Sequence, residues 1–335
     1  MTKLNICICG GGSLGTVCAG VFLSQGHHVC ILSGHPEEWS EEIEVIDCKG
    51  KKYSGNLSHI SSDPQKAILN ADLVLLCVPG FLIEENLKKI RTWLRSDSIV
   101  GSIVSSTGFF FIAHKILYPG TPLFGFQRVP FIARVKEYGK SAYLLGYKDS
   151  LTVALENIKN HDDIKNTLSD LFLTPIKFVD NFLIVSLTNS NPILHTGRMY
   201  SMWKESNGAP FPKMPLFYAD WTLDSSETIL KMDEEFQTLL RHLKLKGAVP
   251  SLLEYYESTD AKSLTDKIRS ITAFKTIKSP MIETDKGWIF DFSSRYFTED
   301  FPFGLKFIKV LAMQHNIETP TIDEVYEWGY SKIKN

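Results

Sequence analysis

The sequence predicts an α/β protein, with a doubly wound parallel sheet in its N-terminal half and an all-α C-terminal domain. Over the first half, short apolar runs alternate with amphipathic stretches, which is the pattern of parallel strands joined by helices. A glycine-rich turn separates the first apolar run from the first amphipathic stretch. After about Asp180 the apolar residues recur mainly at helical spacing. We therefore predict two domains, residues 1–180 and 181–335.

The N-terminal elements follow from local patterns. Continuous apolar runs predict buried strands, whereas apolar residues three and four apart predict helices. Strands are expected at residues 4–9, 28–32, 73–78 and 99–104, with weaker ones at 123–127, 142–146 and 176–179. Helices are expected at residues 13–25, 64–69 and 84–94. Residues 43–46 and 51–54 flank Lys49-Gly50, which predicts a small hairpin.

The C-terminal elements are expected to be helices. The strongest pattern spans residues 225–243, where apolar side chains from Ile229 to Leu243 share one face. The other helices are expected at residues 182–203, interrupted at Pro192, and at 251–257, 263–274, 304–315 and 321–328. Residues 207–215 contain three prolines and form either a plain connector or a lid.

Composition and charge exclude several classes of protein. The 335 residues are 44% apolar and 22% charged, which is typical of a globular enzyme and excludes a disordered or collagen-like chain. The net charge of −2 provides no basic excess to neutralise phosphates, so we expect no nucleic-acid partner. The longest apolar stretch, residues 73–83, is broken by Pro79 and is too short to span a membrane.

The N-terminus and the cysteines predict a cytoplasmic protein. The first apolar stretch runs directly into the glycine turn, which does not fit a secretory signal. The cysteines form no CxxC pair, so we expect free thiols in a reducing compartment and no metal site. They are Cys7, Cys9, Cys18, Cys30, Cys48 and Cys77. Whether the protein forms a homodimer is left open.

Gly10, Gly12 and Gly15 form a G-x-G-x-x-G motif between a strand and a helix. The first glycine permits a tight turn, the second lets the backbone approach a pyrophosphate, and the third lets helix and strand pack closely. The helix N-terminus offers N–H groups and a partial positive charge to the phosphates. The motif predicts a dinucleotide site that includes Ser13 and Leu14. The alternative is a glycine turn that binds no ligand.

Two further segments belong to the predicted cofactor site. The second strand ends in Leu32-Ser33-Gly34-His35, and these four residues include no acidic side chain to accept a hydrogen bond from the ribose 2′-hydroxyl. Ser33 and His35 can donate to a 2′-phosphate, so we prefer NADP(H) over NAD(H), although no Lys or Arg lies at residues 10–45. The alternative is an exposed loop that does not discriminate. Val78 and Pro79 end a later strand and are expected beside the nicotinamide half.

Two polar segments in the second half are candidates for catalysis. Asn191 and His195 are four residues apart, so a helix places them on one face, with Pro192 in its first turn and Asn191 as its cap. Histidine suits proton transfer near neutral pH, although a lone histidine is more often structural. Arg295 can hold a carboxylate by two hydrogen bonds, and Asp300 can orient an imidazole. The alternative for this second segment is a solvated loop with an internal ion pair.

Together these motifs resemble the octopine/nopaline (opine) dehydrogenase family. The resemblance covers nearly the whole chain. It includes GGGSLG, ADLVLLCVPGF, VPFIAR, LTNSNPILH, and RYFTEDFPFGL followed by ETPTID. It implies a Rossmann-type domain, a helical substrate domain, and an active site between them. The implied reaction joins an amino acid to a 2-oxo acid through an imine, which NAD(P)H reduces to a secondary amine.

The resemblance also implies roles for single residues. His195 is expected to transfer the proton, and Asp300 to fix its tautomer and stabilise the imidazolium. Asn191 is expected to donate a hydrogen bond to the substrate, and Arg295 to bind its carboxylate. Arg134 matches an arginine near the active cleft of these enzymes.

Two departures from the family pattern limit what the resemblance implies. The family often has proline directly after the histidine, where this chain has Thr196-Gly197. The chain is also shorter than many members, so the amino-acid substrate is not predicted. Two alternatives stay open. One is a ketopantoate-reductase-like 2-oxo acid reductase, which reduces a carbonyl directly and uses a lysine. The other is a dinucleotide sensor without turnover.

Overall fold

Two compact units make up the computed structural model, Met1–Ser186 and Leu187–Asn335. The described residues are 3–333. The boundary between the units falls a few residues after the predicted one at Asp180, because all but the last residue of a short helix, Phe182–Leu187, belong to the first unit. Each unit is described by itself.

The first unit contains the predicted alternation of strands and helices. Its strands are β1 (Asn5–Cys9), β2 (His28–Leu32), β3 (Glu42–Asp47), β4 (Lys52–Asn56), β5 (His59–Ser61), β6 (Leu73–Leu76), β7 (Ile99–Ser102), β8 (Leu123–Phe126), β9 (Phe131–Glu137), β10 (Ser141–Tyr147), β11 (Leu151–Glu156) and β12 (Ile176–Val179). Its helices are α1 (Ser13–Ser24), α2 (Pro64–Ile68), α3 (Gly80–Ile90), α4 (Phe109–Ile116), α5 (His161–Leu171) and α6 (Phe182–Leu187). Sequence patterns missed β5, β9, β11, α4 and α5.

Within the described residues, eight strands form the main sheet, in the order β12-β11-β8-β7-β6-β1-β2-β5. Neighbouring strands are parallel except β8 and β11, which are antiparallel. In β1, Ile6 and Ile8 belong to a core with α1, whereas Cys7 and Cys9 belong to a core with α3 and α4. Helices therefore cover both faces of the sheet, as predicted, and the central strands are buried on both sides.

All six cysteines are free thiols, as the sequence predicts. A hydrogen bond with Cys9, together with burial, raises the pKa of Cys7. A hydrogen bond with Cys18, together with burial, raises the pKa of Cys77 in the same way. Cys48, in contrast, is exposed.

A second sheet, in the order β4-β3-β10-β9, packs against α1. A Cβ atom at Gly20 of α1 would lie 2.5 Å from Val45 Cγ2, and one at Gly55 would lie 2.8 Å from Leu23 Cβ. Glycines therefore let helix and sheet come this close. The sequence predicts the β3–β4 hairpin and the strand β10, but neither β9 nor the pairing that makes them one sheet. The sheet was missed because β10 pairs with β3, which is far away in the chain, and local patterns do not reveal such pairing.

The second unit is helical, with one short hairpin that the sequence analysis did not predict. Its helices are α7 (Asn191–Ser206), α8 (Leu223–His242), α9 (Leu252–Tyr255), α10 (Ala261–Ser270), α11 (Arg295–Thr298), α12 (Lys306–Gln314) and α13 (Pro320–Ile333). The hairpin pairs β13 (Met281–Thr284) with β14 (Gly287–Phe290). A π-helical turn, Phe301–Leu305, leads into α12. Across the described residues, every helix is too short or too polar to cross a membrane.

The start of α13 is capped by a carboxylate from another helix. Glu235 of α8 accepts hydrogen bonds from the backbone N–H groups of Thr321 and Ile322, at 2.8 and 2.9 Å. These N–H groups lie in the first turn of α13, where they have no partner within the helix. The negative charge also suits the positive end of the helix dipole. One side chain thus links two helices of the second unit.

Replacing this cap should destabilise the protein. Glu235→Ala is expected to lower the free energy of unfolding by about 1–3 kcal/mol, because two backbone donors lose a charged acceptor. Denaturant unfolding measures the change. Glu234→Ala removes an exposed carboxylate one residue earlier and is the matched control. Equal losses in the two variants would contradict the capping role.

Candidate active site

The glycine turn between β1 and α1 has the geometry of a phosphate-binding loop. Gly10 has φ +108°, and a Cβ atom there would lie 2.7 Å from the carbonyl oxygen of Cys77. A Cβ atom at Gly15 would lie 2.0 Å from the carbonyl oxygen of Gly10. Both glycines are therefore required by the turn itself, since any side chain would collide with backbone atoms.

Gly12 differs from the other two glycines of the motif. It is exposed at the N-cap of α1, and a Cβ atom there would meet no protein atom within 4 Å. The first turn of α1 contains no acidic residue, so the helix N-terminus keeps its partial positive charge. Open space in front of free helical N–H groups fits the phosphates of a dinucleotide. Leu14 is half-buried in this turn, and Ser13 Oγ accepts the N–H of Val135 at 3.1 Å.

The other predicted cofactor residues follow the ends of β2 and β6. Ser33 is buried, and its hydroxyl accepts the N–H of His35 at 3.2 Å. The His35 side chain is exposed, and its Nδ1 lies 3.4 Å from a carboxylate oxygen of Glu37. Val78 approaches the turn, because its Cγ1 would lie 2.7 Å from a Cβ atom at Gly10. Pro79 is the N-cap of α3.

The second unit brings together two residues that are far apart in the chain. His195 Nδ1 lies 2.8 Å from Asp300 Oδ2, with the two side chains 12% and 17% exposed. A carboxylate only accepts hydrogen bonds, so Nδ1 carries the proton and a neutral imidazole has its lone pair at Nε2. This is the arrangement in which a carboxylate orients a histidine for proton transfer.

Close packing of two segments places this pair. His195 lies one turn into α7, with Pro192 in the first turn as predicted. A Cβ atom at Gly304 would lie 2.5 Å from Pro192 Cγ, so the π-helical turn rests directly on the start of α7. Asp300 is the N-cap of that π-helical turn. The N-cap of α7 is Ser190, so the prediction that Asn191 caps the helix is wrong.

Sequence analysis missed Tyr218, the second partner of the imidazole. Its hydroxyl lies 3.0 Å from His195 Nε2. Tyr296 also contacts the imidazole, with ring centroids 4.6 Å apart, and Phe217 packs edge-on at 5.5 Å. The available signal was PLFYADW, an aromatic run directly after the proline-rich loop, which local patterns left unassigned.

The remaining predicted residues lie on the surface of their units. Asn191 is exposed at the start of α7, and its N–H donates to Asn189 Oδ1 at 3.2 Å. Arg295 is exposed at the start of α11. Arg134 is exposed on β9 of the first unit.

Comparisons with known proteins match both halves of the chain. Residues 178–333 match the family model for the NAD/NADP octopine/nopaline dehydrogenase alpha-helical domain. Residues 5–110 match the model for the N-terminus of NAD-dependent glycerol-3-phosphate dehydrogenase. The chain is 26% identical to octopine dehydrogenase from Mizuhopecten yessoensis, over 98% of this chain and 90% of that protein. It is 27% identical to tauropine dehydrogenase from Arabella iricolor, over 96% and 89%.

A solved structure shows the same similarity in three dimensions. The structure of octopine dehydrogenase with NADH and L-arginine superposes with a TM-score of 0.88 at 26% identity. The superposition covers 99% of this chain and 90% of that chain.

These matches identify the protein in two steps. The nucleotide-binding first unit and the dehydrogenase relatives place it among the NAD(P)-dependent oxidoreductases. Within these oxidoreductases, the helical unit matches the domain of the octopine/nopaline (opine) dehydrogenases. Over nearly its whole length the chain is similar to octopine dehydrogenases, as its motifs predict.

The glycine turn yields a test that separates binding from folding. Gly12→Val should weaken NADH binding at least about tenfold, because the side chain fills the space in front of the helix N-terminus. The melting temperature should stay near that of the parent, since no protein atom lies there. Gly15→Ala should instead lower the melting temperature, because its Cβ atom would overlap a backbone oxygen. Fluorescence titration and thermal unfolding measure both effects; unchanged NADH affinity in Gly12→Val would contradict the cofactor assignment.

Proposed function

We propose that the protein is an opine dehydrogenase, which condenses an amino acid with a 2-oxo acid and reduces the imine to a secondary amine. The observation that carries this proposal is the 2.8 Å contact between His195 and Asp300, within the segment that matches the family's helical domain. The match to this chain spans about nine tenths of the length of proteins named octopine dehydrogenase and tauropine dehydrogenase. These names support the reaction class.

In this proposal His195 moves the proton that condensation requires. Nε2 takes a proton from the ammonium group of the amino acid, and the free amine then attacks the carbonyl carbon of the oxo acid. The attack leaves a positive charge on nitrogen and a negative charge on oxygen, and a proton moves from this nitrogen to this oxygen to form a hydroxyl group. The imidazolium then gives its proton to the hydroxyl group, the C–O bond breaks, the nitrogen lone pair forms the C=N bond, and water leaves. Asp300 stabilises the imidazolium between these two transfers. The bound nicotinamide supplies the hydride that reduces the imine.

Three further residues are assigned to substrate binding. We assign a substrate carboxylate to Arg295, whose neighbour Tyr296 contacts the imidazole. A planar guanidinium matches a carboxylate with two parallel hydrogen bonds. Asn191, one turn before His195 on α7, is assigned as a hydrogen-bond donor. Arg134 on β9 is assigned to the same substrate by the family resemblance.

The proton-transfer roles predict a specific pattern of losses. His195→Gln and Asp300→Asn should each lower kcat by about 10²–10⁴-fold, because proton transfer or its electrostatic support is lost. NADH affinity should stay near that of the parent, since the glycine turn is untouched. His242→Gln, an exposed histidine of the same unit, is the matched control. Turnover at the parent rate in His195→Gln would show that the assigned role is wrong.

The requirement for an amino acid tests the reaction class itself. Oxidation of reduced cofactor should depend on both a 2-oxo acid such as pyruvate and an amino acid, in a screen that pairs oxo acids with amino acids. A direct 2-oxo acid reductase would oxidise the cofactor with pyruvate alone. A sensor would bind the cofactor and consume none with any pair. Either result would overturn the proposed function.

We further propose that the cofactor is NAD(H), which reverses the preference drawn from the sequence. Glu37 and Glu38 lie beside His35, with carboxylate oxygens 3.4 and 4.0 Å from its Nδ1. Two carboxylates after β2 repel a 2′-phosphate and can accept a hydrogen bond from a 2′-hydroxyl. No Lys or Arg at residues 10–45 offsets their charge.

This charge predicts how cofactor preference responds to mutation. The wild-type protein should bind NADH more tightly than NADPH, and Glu37→Gln with Glu38→Gln should raise NADPH affinity by about tenfold, as two like charges are removed. Fluorescence titration with both cofactors measures the ratio. Glu41→Gln with Glu42→Gln removes the same charge from exposed positions nearby. A wild-type preference for NADPH would refute the assignment.

A further inference from the structure

Both ring nitrogens of His195 already have a hydrogen-bond partner. Nδ1 donates to Asp300 at 2.8 Å, and Nε2 accepts the hydroxyl of Tyr218 at 3.0 Å. A neutral imidazole has a single acceptor nitrogen, so the phenol occupies the position at which His195 takes up a proton. A proton therefore reaches Nε2 either through the phenol oxygen or after the phenol has moved away.

The ring of Tyr218 is held in place by its neighbours. Tyr218 as a whole is 6% exposed. The ring stacks on Phe274 with centroids 4.4 Å apart, and it packs edge-on against Phe217 at 4.8 Å. The ring of Trp221 lies parallel to it, at 6.1 Å. Moving the phenol away from the imidazole would break these contacts.

The backbone around Tyr218 is fixed by a buried cation. Arg198 is 2% exposed and lies on the same helix as the imidazole. Its guanidinium donates to the carbonyl oxygens of Asp220 at 2.7 Å and Phe217 at 3.3 Å, and to Ser225 Oγ at 2.8 Å. Burial lowers the pKa of Arg198 to about 10, so it stays charged at neutral pH. Displacing the segment would leave this buried charge without its acceptors, which is costly.

We propose that Tyr218 relays the proton between His195 and the substrate, as the third member of an Asp300–His195–Tyr218 chain. This inference rests on the proposed function and adds the group that meets the substrate. The order of carboxylate, imidazole and hydroxyl is that of a hydrolytic triad. Here the hydroxyl passes on a proton and forms no bond to carbon.

The relay moves two protons in one step. As the substrate ammonium loses its proton, an N–H bond breaks and an O–H bond forms at the phenol oxygen. The phenol's own O–H bond breaks at the same time, and an N–H bond forms at Nε2 of His195. The reverse step delivers a proton to the leaving hydroxyl. Burial, aided by Tyr296, Tyr256 and Asp300, raises the pKa of Tyr218, which disfavours a free phenolate and favours movement of both protons together.

Removing the phenol oxygen tests the relay. Tyr218→Phe keeps the ring and should lower kcat/KM by about 100-fold or more, as His195→Gln does, with NADH affinity near that of the parent. The assay uses the full chain with NADH and the substrate pair that the wild type turns over. Tyr326→Phe makes the same change at a buried tyrosine of this unit away from the imidazole and should retain parent activity.

The outcomes separate the relay from the function it rests on. Parent-like kcat/KM in Tyr218→Phe, with His195→Gln inactive, would overturn the relay and leave the proposed function standing. Equal losses in Tyr218→Phe and Tyr326→Phe would also overturn it, because a general loss of packing would explain both. If the wild type turns over no pair of amino acid and oxo acid, the proposed function falls and the relay with it.

A spectroscopic signature checks the hydrogen bond independently of activity. In protein labelled with ¹⁵N-histidine, the His195 signals are assigned by their loss in His195→Gln. The Nε2 signal should shift downfield in Tyr218→Phe, because the lone pair loses its donor, and should not change in Tyr326→Phe. An unchanged Nε2 signal in Tyr218→Phe would show that the phenol does not bond this nitrogen and would overturn the relay.

Discussion

The close approach of Gly304 to Pro192 is the contact on which the candidate site of the helical unit depends. With 2.5 Å between Pro192 Cγ and the place of a Cβ atom at residue 304, any side chain there would push the π-helical turn away from α7. Asp300 precedes that turn, and His195 lies one turn into the helix. The hydrogen bond between His195 and Asp300 therefore requires glycine at position 304. The energy of this hydrogen bond alone would not hold two separate segments in register.

The constraint in the first unit is different: its glycine turn presents backbone N–H groups with no side chain in front of them. Strand β1 is buried on both faces. At its carboxyl end, Gly10 turns the chain into α1. Glycines at 10 and 15 are required by contacts within the protein, whereas a Cβ atom at Gly12 would meet no protein atom within 4 Å. The same motif thus contains two positions that maintain the fold and one that faces open space.

Sequence patterns predicted what depends on neighbours in the chain and missed what depends on distant ones. Six of the eight strands of the main sheet, the glycine turn and α8 have clear local patterns and were predicted, whereas β5 and β11 were not. The second sheet was missed because β3 and β10 pair across a long stretch of chain. His195 and Asp300 were paired only through a family resemblance, since nothing in either segment specifies the other. Tyr218 was missed for a related reason: a buried tyrosine in an aromatic run has the same local pattern whether or not its hydroxyl meets an imidazole.

The distribution of thiols makes the protein convenient to modify chemically. Cys7, Cys9 and Cys18 are sealed inside the first unit, and the raised pKa values of Cys7 and Cys77 keep these groups protonated and poorly nucleophilic. Cys48 lies in the exposed turn between β3 and β4. A maleimide dye should therefore attach first at that turn, which gives a site-specific label without any engineered residue.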